Sequence, residues 1–279
     1  MKRGWRNFWI TCGVVAGIGC VCLVSGKVMG ATLTVMDNYI PDWIGPGRGE
    51  VDVSYDYGDT PLEADTDETY YDVRSLKLDT EGLDVQILKG TGDGITVQTE
   101  DVYSALKFQV AEEDGELTVE TTARRFPWRM NKGNYGNVWI YVPEELQLET
   151  ADLQLGIGEL YVENIDTGEL KLEVGAGSAA LDWFTADELD IEVGVGTVEV
   201  SGDTRQKADL ECGVGSLVYT AAGKETDFNY RLECGVGELN IGESSYSGLS
   251  VERTIDNRAQ RTMDISCDVG STEIYFEES

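Results

Sequence analysis

The chain has 279 residues, 52 acidic side chains against 21 basic ones and no histidine, which gives a formal net charge of −31 at pH 7. So acidic a surface repels nucleic acid and anionic lipid, and it favours cations and basic partners. The lack of histidine excludes His-based catalytic triads, histidine metal ligands and histidine pH switches. An enzyme built on this chain would have to use carboxylates, Lys, Tyr, Ser or Cys. We expect a protein that is not an enzyme and that does not bind nucleic acid.

The first apolar segment is long enough to cross a membrane. Residues 8–26 are 19 positions without a charge, which suffices for one transmembrane helix. Because residues 1–7 are basic, the positive-inside rule places them in the cytoplasm. We predict a single-pass anchor in the cell membrane over residues 8–29, with the C-terminal domain outside the cytoplasm. A cleaved signal peptide is one alternative and a lipoprotein signal at Cys20 or Cys22 is another, and both also place the domain outside.

The segment after the anchor lacks the periodicity of a strand or a helix. Pro41 and the Gly-Pro-Gly of residues 45–47 interrupt regular structure, and residues 63–68 form an acidic run. Such a composition is typical of a linker. We predict an acidic stalk over residues 30–74.

Apolar residues then recur at every second position, which predicts β-strands. Leu83, Val85 and Ile87 are one such set. We predict one all-β domain over residues 75–279, in which irregular opening strands precede regular repeats over residues 151–279.

The regular part of the chain is a repeat with Gly-x-Gly at the same place in each copy. The ten glycines are Gly156, Gly158, Gly175, Gly177, Gly194, Gly196, Gly213, Gly215, Gly235 and Gly237. Residues 268–270 (Asp-Val-Gly) are a degenerate sixth copy, which we expect to close the series. The period of about 19 residues falls in the range that is the signature of a solenoid. We therefore predict a single-stranded β-solenoid (β-helix) that turns at Gly-x-Gly corners and follows one N-terminal transmembrane helix.

Aligned on their glycines, the copies show six apolar columns, which we interpret as inward-facing. In the first copy these positions are Ala151, Leu153, Leu155, Ile157, Leu160 and Val162. The spacing slips by one residue after Ile157, so we expect the glycines to provide the bend that absorbs the slip. A polar return turn is expected to complete each rung. Since no helix follows the glycines, we interpret them as corners and not as a phosphate-binding loop.

Three cysteines share the third inward column. We interpret Cys212, Cys234 and Cys267 as buried free thiols that act as small hydrophobic residues. A disulfide between adjacent rungs, about 4.8 Å apart, is the alternative.

Outward positions stack as well, and carboxylates dominate them. Asp190, Glu192, Asp209 and Glu211 form the densest group, which we expect to lie unrelieved by basic residues. Clustered carboxylates on a rigid sheet are a candidate Ca²⁺ site, and a solvated acidic face is the alternative. A polysaccharide-acting enzyme that uses Asp190 and Glu211 is a further alternative. No other cofactor is expected.

One basic cluster interrupts the acidic domain. Its charged and aromatic members include Arg124, Arg125, Trp128, Arg129 and Lys132. We predict an exposed interaction loop for an envelope polymer or an envelope protein. The alternative is a loop that folds back on the acidic body.

Several motifs resemble a bacterial family of β-strand-repeat envelope proteins, labelled "putative adhesins", that share a domain of unknown function. They are the N-terminal anchor, Val-Trp-Ile-Tyr-Val-Pro at 138–143, Leu-Glu-Cys-Gly-Val-Gly at 210–215 and 232–237, and Ile-Ser-Cys-Asp-Val-Gly at 265–270. The resemblance covers residues 75–279 and implies a β-solenoid ectodomain without catalytic residues to carry over. It departs from the family pattern at Asp268, where glycine is expected, which puts the last bend in question.

Together these features predict a membrane-anchored, extracytoplasmic, non-catalytic β-solenoid for adhesion, scaffolding or cell-envelope sensing. A polymerising membrane-associated scaffold is the remaining alternative. The sequence does not indicate an oligomeric state.

Overall fold

The part of the protein that the structure describes consists almost wholly of β-strands. A computed structural model describes residues 66–122 and 135–277, which belong to one compact unit within 59–279. The strands are β1 (Asp67–Tyr70), β2 (Ser75–Gly90), β3 (Ile95–Glu100), β4 (Phe108–Glu113), β5 (Glu116–Thr121), β6 (Asn137–Pro143), β7 (Gln147–Val162), β8 (Ile165–Ala222), β9 (Phe228–Ile241), β10 (Ser244–Ile255) and β11 (Arg261–Glu277). Short 3-10 turns lie at Ser104–Leu106 and Glu225–Asp227. The all-β class is thus confirmed.

The predicted anchor over residues 8–29 and most of the predicted stalk over 30–74 lie outside the described residues. Within the described part, no helix is long and apolar enough to cross a membrane. The sheet already includes β1, which lies inside the predicted stalk and pairs antiparallel with β3.

The repeats stack in parallel and in register in the middle of the sheet. Each residue of β7 lies opposite its equivalent in the next copy of the repeat, as Ala151 does opposite Leu170 in β8. Strand β8 is 58 residues long and continues through three successive repeats. Alternating side chains point into the core, so equivalent inward side chains of successive repeats lie side by side on the same face of the sheet.

The C-terminal end departs from chain order. Strand β11 pairs in parallel with both β8 and β9, so the sixth copy lies between the fourth and the fifth. Our expectation that this copy closes the series is wrong. All copies present the same apolar columns, so periodicity alone does not specify which copy stacks on which. Strand β10 lies outermost, antiparallel to β9.

The N-terminal end departs from chain order in the same way. Strand β2 lies between β6 and β7, although β6 follows it by many residues. Strands β5 and β6 pair with the first and second halves of β2 and so form one interrupted repeat. Antiparallel pairs of β6 with β3, β3 with β1 and β5 with β4 complete this end.

Five of the six predicted columns are buried, but the fourth is not. Residues Ala151, Leu153, Leu155, Leu160 and Val162 are at most 3% exposed, whereas Ile157 between the glycines is 40% exposed. The prediction that the fourth column faces inward is wrong. Leu155 is the last buried residue before the corner and Leu160 is the first one after it. The chain bends between them, and Ile157 in the middle of the bend points away from the core.

Inside β8 the return segments are not the expected polar turns but continuous strand, and they bury Phe184, Ala186 and Thr204. The return before β9 does include a polar turn, the 3-10 turn Glu225–Asp227. Phe184 packs on the Tyr219 ring, with centroids 5.8 Å apart. The buried Tyr219 hydroxyl pairs with that of Thr204 at 2.9 Å. The core therefore extends into the return segments of β8.

The second glycine of each corner is required by close approach to the neighbouring strand. At Gly215 a Cβ atom would lie against the carbonyl oxygen of Gly196, far inside van der Waals contact, and its φ of +152° favours glycine. The first glycine is less constrained, because a Cβ at Gly213 would lie 3.0 Å from the carbonyl oxygen of Gly194. Asp268 occupies this first position in β11, and the bend there keeps its register with β8.

Candidate interaction surface

One outward row of apolar side chains runs along the corners of the sheet. This apolar ridge consists, in spatial order, of Ile157, Ala176, Val195, Val214, Val269 and Val236. Val236 is 55% exposed and Val269 36% exposed, whereas Ala176, Val195 and Val214 in the middle of the ridge are half-buried. Adjacent strands lie about 4.8 Å apart, so the ridge spans about 24 Å.

The ridge protrudes because most of its members lie between two glycines. The glycine columns on either side provide no side chain that covers the ridge. Each apolar side chain therefore keeps part of its surface accessible, most of all at Ile157 and Val236. Sequence reasoning misplaced this column because the alternation before the corner suggests an inward residue at Ile157. The two flanking glycines were the signal of a corner residue that points outward.

A row of carboxylates borders the ridge on the strand before the corner. This carboxylate row comprises Glu173, Glu192, Glu211 and Glu233, with Ser266 of β11 between the last two. None of these glutamates forms an ion pair with another described residue. The ridge and the row together form an apolar strip with an uncompensated acidic border.

The next column outward is mixed in charge. Lys77, Asp152 and Lys171 lie opposite one another on β2, β7 and β8. At the other end, Arg231 of β9 contacts Asp264 of β11 at 3.5 Å. Alternating charges on adjacent strands stabilise the sheet modestly.

Two of the four carboxylates that the sequence singled out, Asp190 and Asp209, have basic neighbours, whereas Glu192 and Glu211 form no ion pair with a described residue. The Lys207 Nζ atom lies 2.6 Å from a carboxylate oxygen of Asp209. Burial raises the pKa of Asp190 above its ordinary value, and Asp209 and Glu192 add to the rise, whereas Lys171 lowers that pKa. Our interpretation of an unrelieved cluster is therefore wrong for Asp190 and Asp209. The sequence missed Lys207 because this residue precedes the aligned columns.

The calcium hypothesis gains no support from this geometry. Asp190, Glu192, Asp209 and Glu211 alternate between two columns on an open strand face. Among residues 66–122 and 135–277, no three acidic or cysteine side chains converge in a way that would hold a metal ion.

The three cysteines are buried free thiols in the described structure. The insertion of β11 places Cys267 directly between Cys212 and Cys234. A hydrogen bond with Cys267 and burial raise the pKa of Cys212, and burial raises the pKa of Cys234. Cys212 and Cys234 therefore keep their protons and pack as small apolar residues.

The predicted interaction loop, with Arg124, Arg125, Trp128, Arg129 and Lys132, lies outside the described residues. The strand that precedes this loop in the chain, β5, is described. The Glu81 amide donates a hydrogen bond of 2.9 Å to the hydroxyl of Thr121, the last residue of β5. Glu81 packs beside Gly156, so β5 ends near the Ile157 end of the ridge.

The family model described as Toastrack DUF4097 matches residues 73–272. The chain belongs to this family. Its Toastrack domain therefore includes β2 to β10 and most of β11. No curated protein matches the chain.

Several solved structures are similar to about three quarters of this chain. A putative adhesin from Bacteroides fragilis NCTC 9343 is 18% identical, with a TM-score of 0.46, and the match covers 77% of this chain and 98% of that one. A putative cell adhesion protein from Clostridium sporogenes ATCC 15579 is 15% identical, with a TM-score of 0.44, and the match covers 77% and 100%. A putative lipid binding protein from Parabacteroides distasonis ATCC 8503 is 13% identical, with a TM-score of 0.30, and the match covers 76% and 98%.

Proposed function

We propose that the protein is a membrane-anchored, extracytoplasmic β-solenoid that binds partners at the cell envelope through its outward face, in adhesion, scaffolding or sensing. It acts by display and not by catalysis. The Toastrack domain presents the outward face, and the N-terminal segment attaches it to the membrane.

The repetition of one outward pattern from strand to strand carries this proposal. The apolar ridge recurs on neighbouring strands from β7 to β9, and the carboxylate row accompanies it on most of them. Stacked repeats generate extended binding surfaces because each adds the same contact at a fixed spacing. An exposed apolar strip on a folded domain is typical of an interaction site.

The membrane attachment is supported by the uncharged run over residues 8–26 and the basic residues before it. Protease treatment of intact cells that produce the full chain tests the orientation. We expect the acidic domain to be cut or shed from intact cells while a tag before residue 1 stays protected. Protection of the domain until the cells are lysed would refute the extracytoplasmic placement.

Binding itself is tested by recovery from envelope extracts. The full chain in zwitterionic nanodiscs should recover specific envelope components that a ridge variant, Val195→Thr with Val214→Thr, recovers less well. A second variant replaces residues 124–132 by Gly and Ser and asks whether the basic loop takes part. Equal recovery by the wild type and by empty nanodiscs would contradict a binding function.

A further inference from the structure

The apolar ridge and the carboxylate row run in parallel along the same strands. Val195 follows Glu192 at the same short spacing in the chain as Val214 follows Glu211. Both rows continue to β9, where Val236 and Glu233 repeat the spacing. A ligand that lies along the ridge therefore meets apolar contacts on one side and negative charge on the other.

The dimensions of the ridge suit a helix. Its length of about 24 Å corresponds to about 16 helical residues at about 1.5 Å per residue. Successive turns of a helix are about 5.4 Å apart, close to the strand spacing of about 4.8 Å, whereas same-face residues of an extended chain are about 6.6 Å apart. An apolar helix face with residues at every third or fourth position matches the ridge better than a strand does.

Charge restricts the occupant further. Nucleic acid and anionic lipid are repelled by a chain with a net charge of −31. The body of a second copy presents the same carboxylates and is repelled for the same reason. Lysine and arginine residues of a helical partner, placed next to the apolar face of its helix, would pair with Glu192, Glu211 and Glu233. None of these glutamates has an ion-pair partner among the described residues.

We propose that the apolar ridge docks a cationic amphipathic helix of a partner polypeptide, with its apolar face on Val195, Val214 and Val269 and its basic residues on the carboxylate row. The proposal rests on the proposed function, since it names the class of partner that the outward face binds. The helix lies across the strands, along the stacking direction, and matches the full length of the ridge.

Binding of a defined probe tests this directly. The probe is a fluorescent peptide of Leu and Lys, patterned as an amphipathic helix of the length of the ridge. Its controls are a scrambled peptide of the same composition and a Leu and Glu peptide of the same pattern. Fluorescence anisotropy is measured with the full chain in phosphatidylcholine nanodiscs, and empty nanodiscs give the blank. We expect binding of the patterned cationic peptide only, weakened when salt is raised from about 0.15 to about 0.5 M.

Matched variants locate the site. Val195→Thr with Val214→Thr removes apolar surface without changing side-chain shape, and Glu192→Gln with Glu211→Gln removes two charges. We expect each pair to weaken binding about 10-fold, equivalent to about 1.4 kcal/mol. The control, Glu199→Gln with Glu273→Gln, makes the same change of charge away from the row and should leave binding unaltered. Unchanged thermal unfolding shows that every variant is folded.

A photoreactive version of the probe should cross-link to ridge residues, as mapped by mass spectrometry. Absence of binding to the folded wild type overturns the proposal, and so does binding that the ridge variants leave unchanged. Binding that appears only after residues 124–132 are replaced would identify the chain's own segment as the occupant and overturn the assignment to a partner. Displacement of the probe by self-association would identify a second copy and overturn it as well. Each of these results leaves recovery from envelope extracts as a separate test of the proposed function.

Discussion

In the middle of the sheet, each repeat of β7 and β8 lies beside the repeat that follows it in the chain. At both ends this rule fails. Strand β2 lies between β7 and the strands β5 and β6, which come later in the chain than β2. Strand β11 lies between β8 and β9, although β9 comes earlier in the chain than β11. The middle extends by adding equivalent parallel strands, whereas the ends finish in antiparallel strands that no further repeat covers.

This difference shows how a repetitive sheet ends. A parallel stack with two uncovered edges would offer its unpaired backbone groups to other chains. Here the outer strands β1 and β4 carry exposed acids, Asp67 and Glu68 in β1 and Glu112 and Glu113 in β4. Negative charge on an outer strand disfavours edge-to-edge pairing. The insertion of β2 and β11 also ties the ends to the regular repeats.

The largest expected effect is an all-or-none cross-link that depends on the insertion of β11. Because Cys267 lies between Cys212 and Cys234, oxidation with diamide should link Cys212 to Cys267 in a Cys234→Ser variant. In a Cys267→Ser variant, Cys212 and Cys234 are two strands apart, about 9.6 Å, and should not be linked. Peptide mapping separates these links from those of the N-terminal cysteines. A stack in chain order would give the reverse pattern.

The second largest effect concerns the corners of the middle repeats. Gly215→Ala places a Cβ against the Gly196 carbonyl oxygen and forces a φ that alanine disfavours. We expect a loss of roughly 2–5 kcal/mol in the free energy of unfolding, measured with denaturant. The matched control is Gly213→Ala in the same corner, which should cost about 1 kcal/mol or less. Equal losses would show that the two glycines play the same role.

A smaller effect is expected where β11 begins. The Arg261 guanidinium contacts Asp203 at 3.0 Å, donates to the Ala222 carbonyl oxygen at 3.2 Å and lies 5.3 Å from the centre of the Phe228 ring. Arg261→Ala should lower the free energy of unfolding by about 1–2 kcal/mol.

The control for Arg261 is Arg205→Ala in β8. Arg205 forms a more exposed pair with Asp187 at 3.5 Å, and its loss should cost less than about 0.5 kcal/mol. A larger loss at Arg205 than at Arg261 would contradict the view that Arg261 secures the inserted strand.

The smallest effect concerns pH. Burial raises the pKa of Asp190 above its ordinary 3.8, so the folded protein holds this proton to a higher pH than the unfolded chain does. The resulting stabilisation is complete below pH 3.8 and is lost as the pH rises through the folded pKa. Asp190→Asn should therefore raise stability at pH 7 by less than about 1 kcal/mol, with no gain at low pH.

Asp152 in the same column provides the comparison for Asp190. Asp152 lies between Lys77 and Lys171 on the adjacent strands. Asp152→Asn removes the attraction between its carboxylate and these two lysines, so it should not stabilise the protein at pH 7. Unfolding curves of both variants across the pH range measure the difference. A gain at pH 7 from Asp152→Asn as large as that from Asp190→Asn would contradict this explanation.

Much of the buried surface could be predicted from alternation alone. The columns that contain Leu153, Leu155 and Leu160 are buried in every regular copy, and the parallel register follows from their constant spacing along the chain. The surface was harder to predict. Lys207 lies far from Asp190 in the sequence, yet it influences the pKa of that carboxyl across neighbouring strands. Such neighbours become visible only when the strands are stacked.

The sequence by itself determined the all-β class, the length of the repeat, five of the six inward columns and the glycines at the bends, because each follows from local alternation and spacing. Only the tertiary structure decided the order of stacking at the two ends. The copies present equivalent apolar columns, so their spacing along the chain does not specify which copy pairs with which. The tertiary structure also decided that Ile157 and its equivalents face outward. The direction in which a corner residue points depends on which side of the bend faces the core.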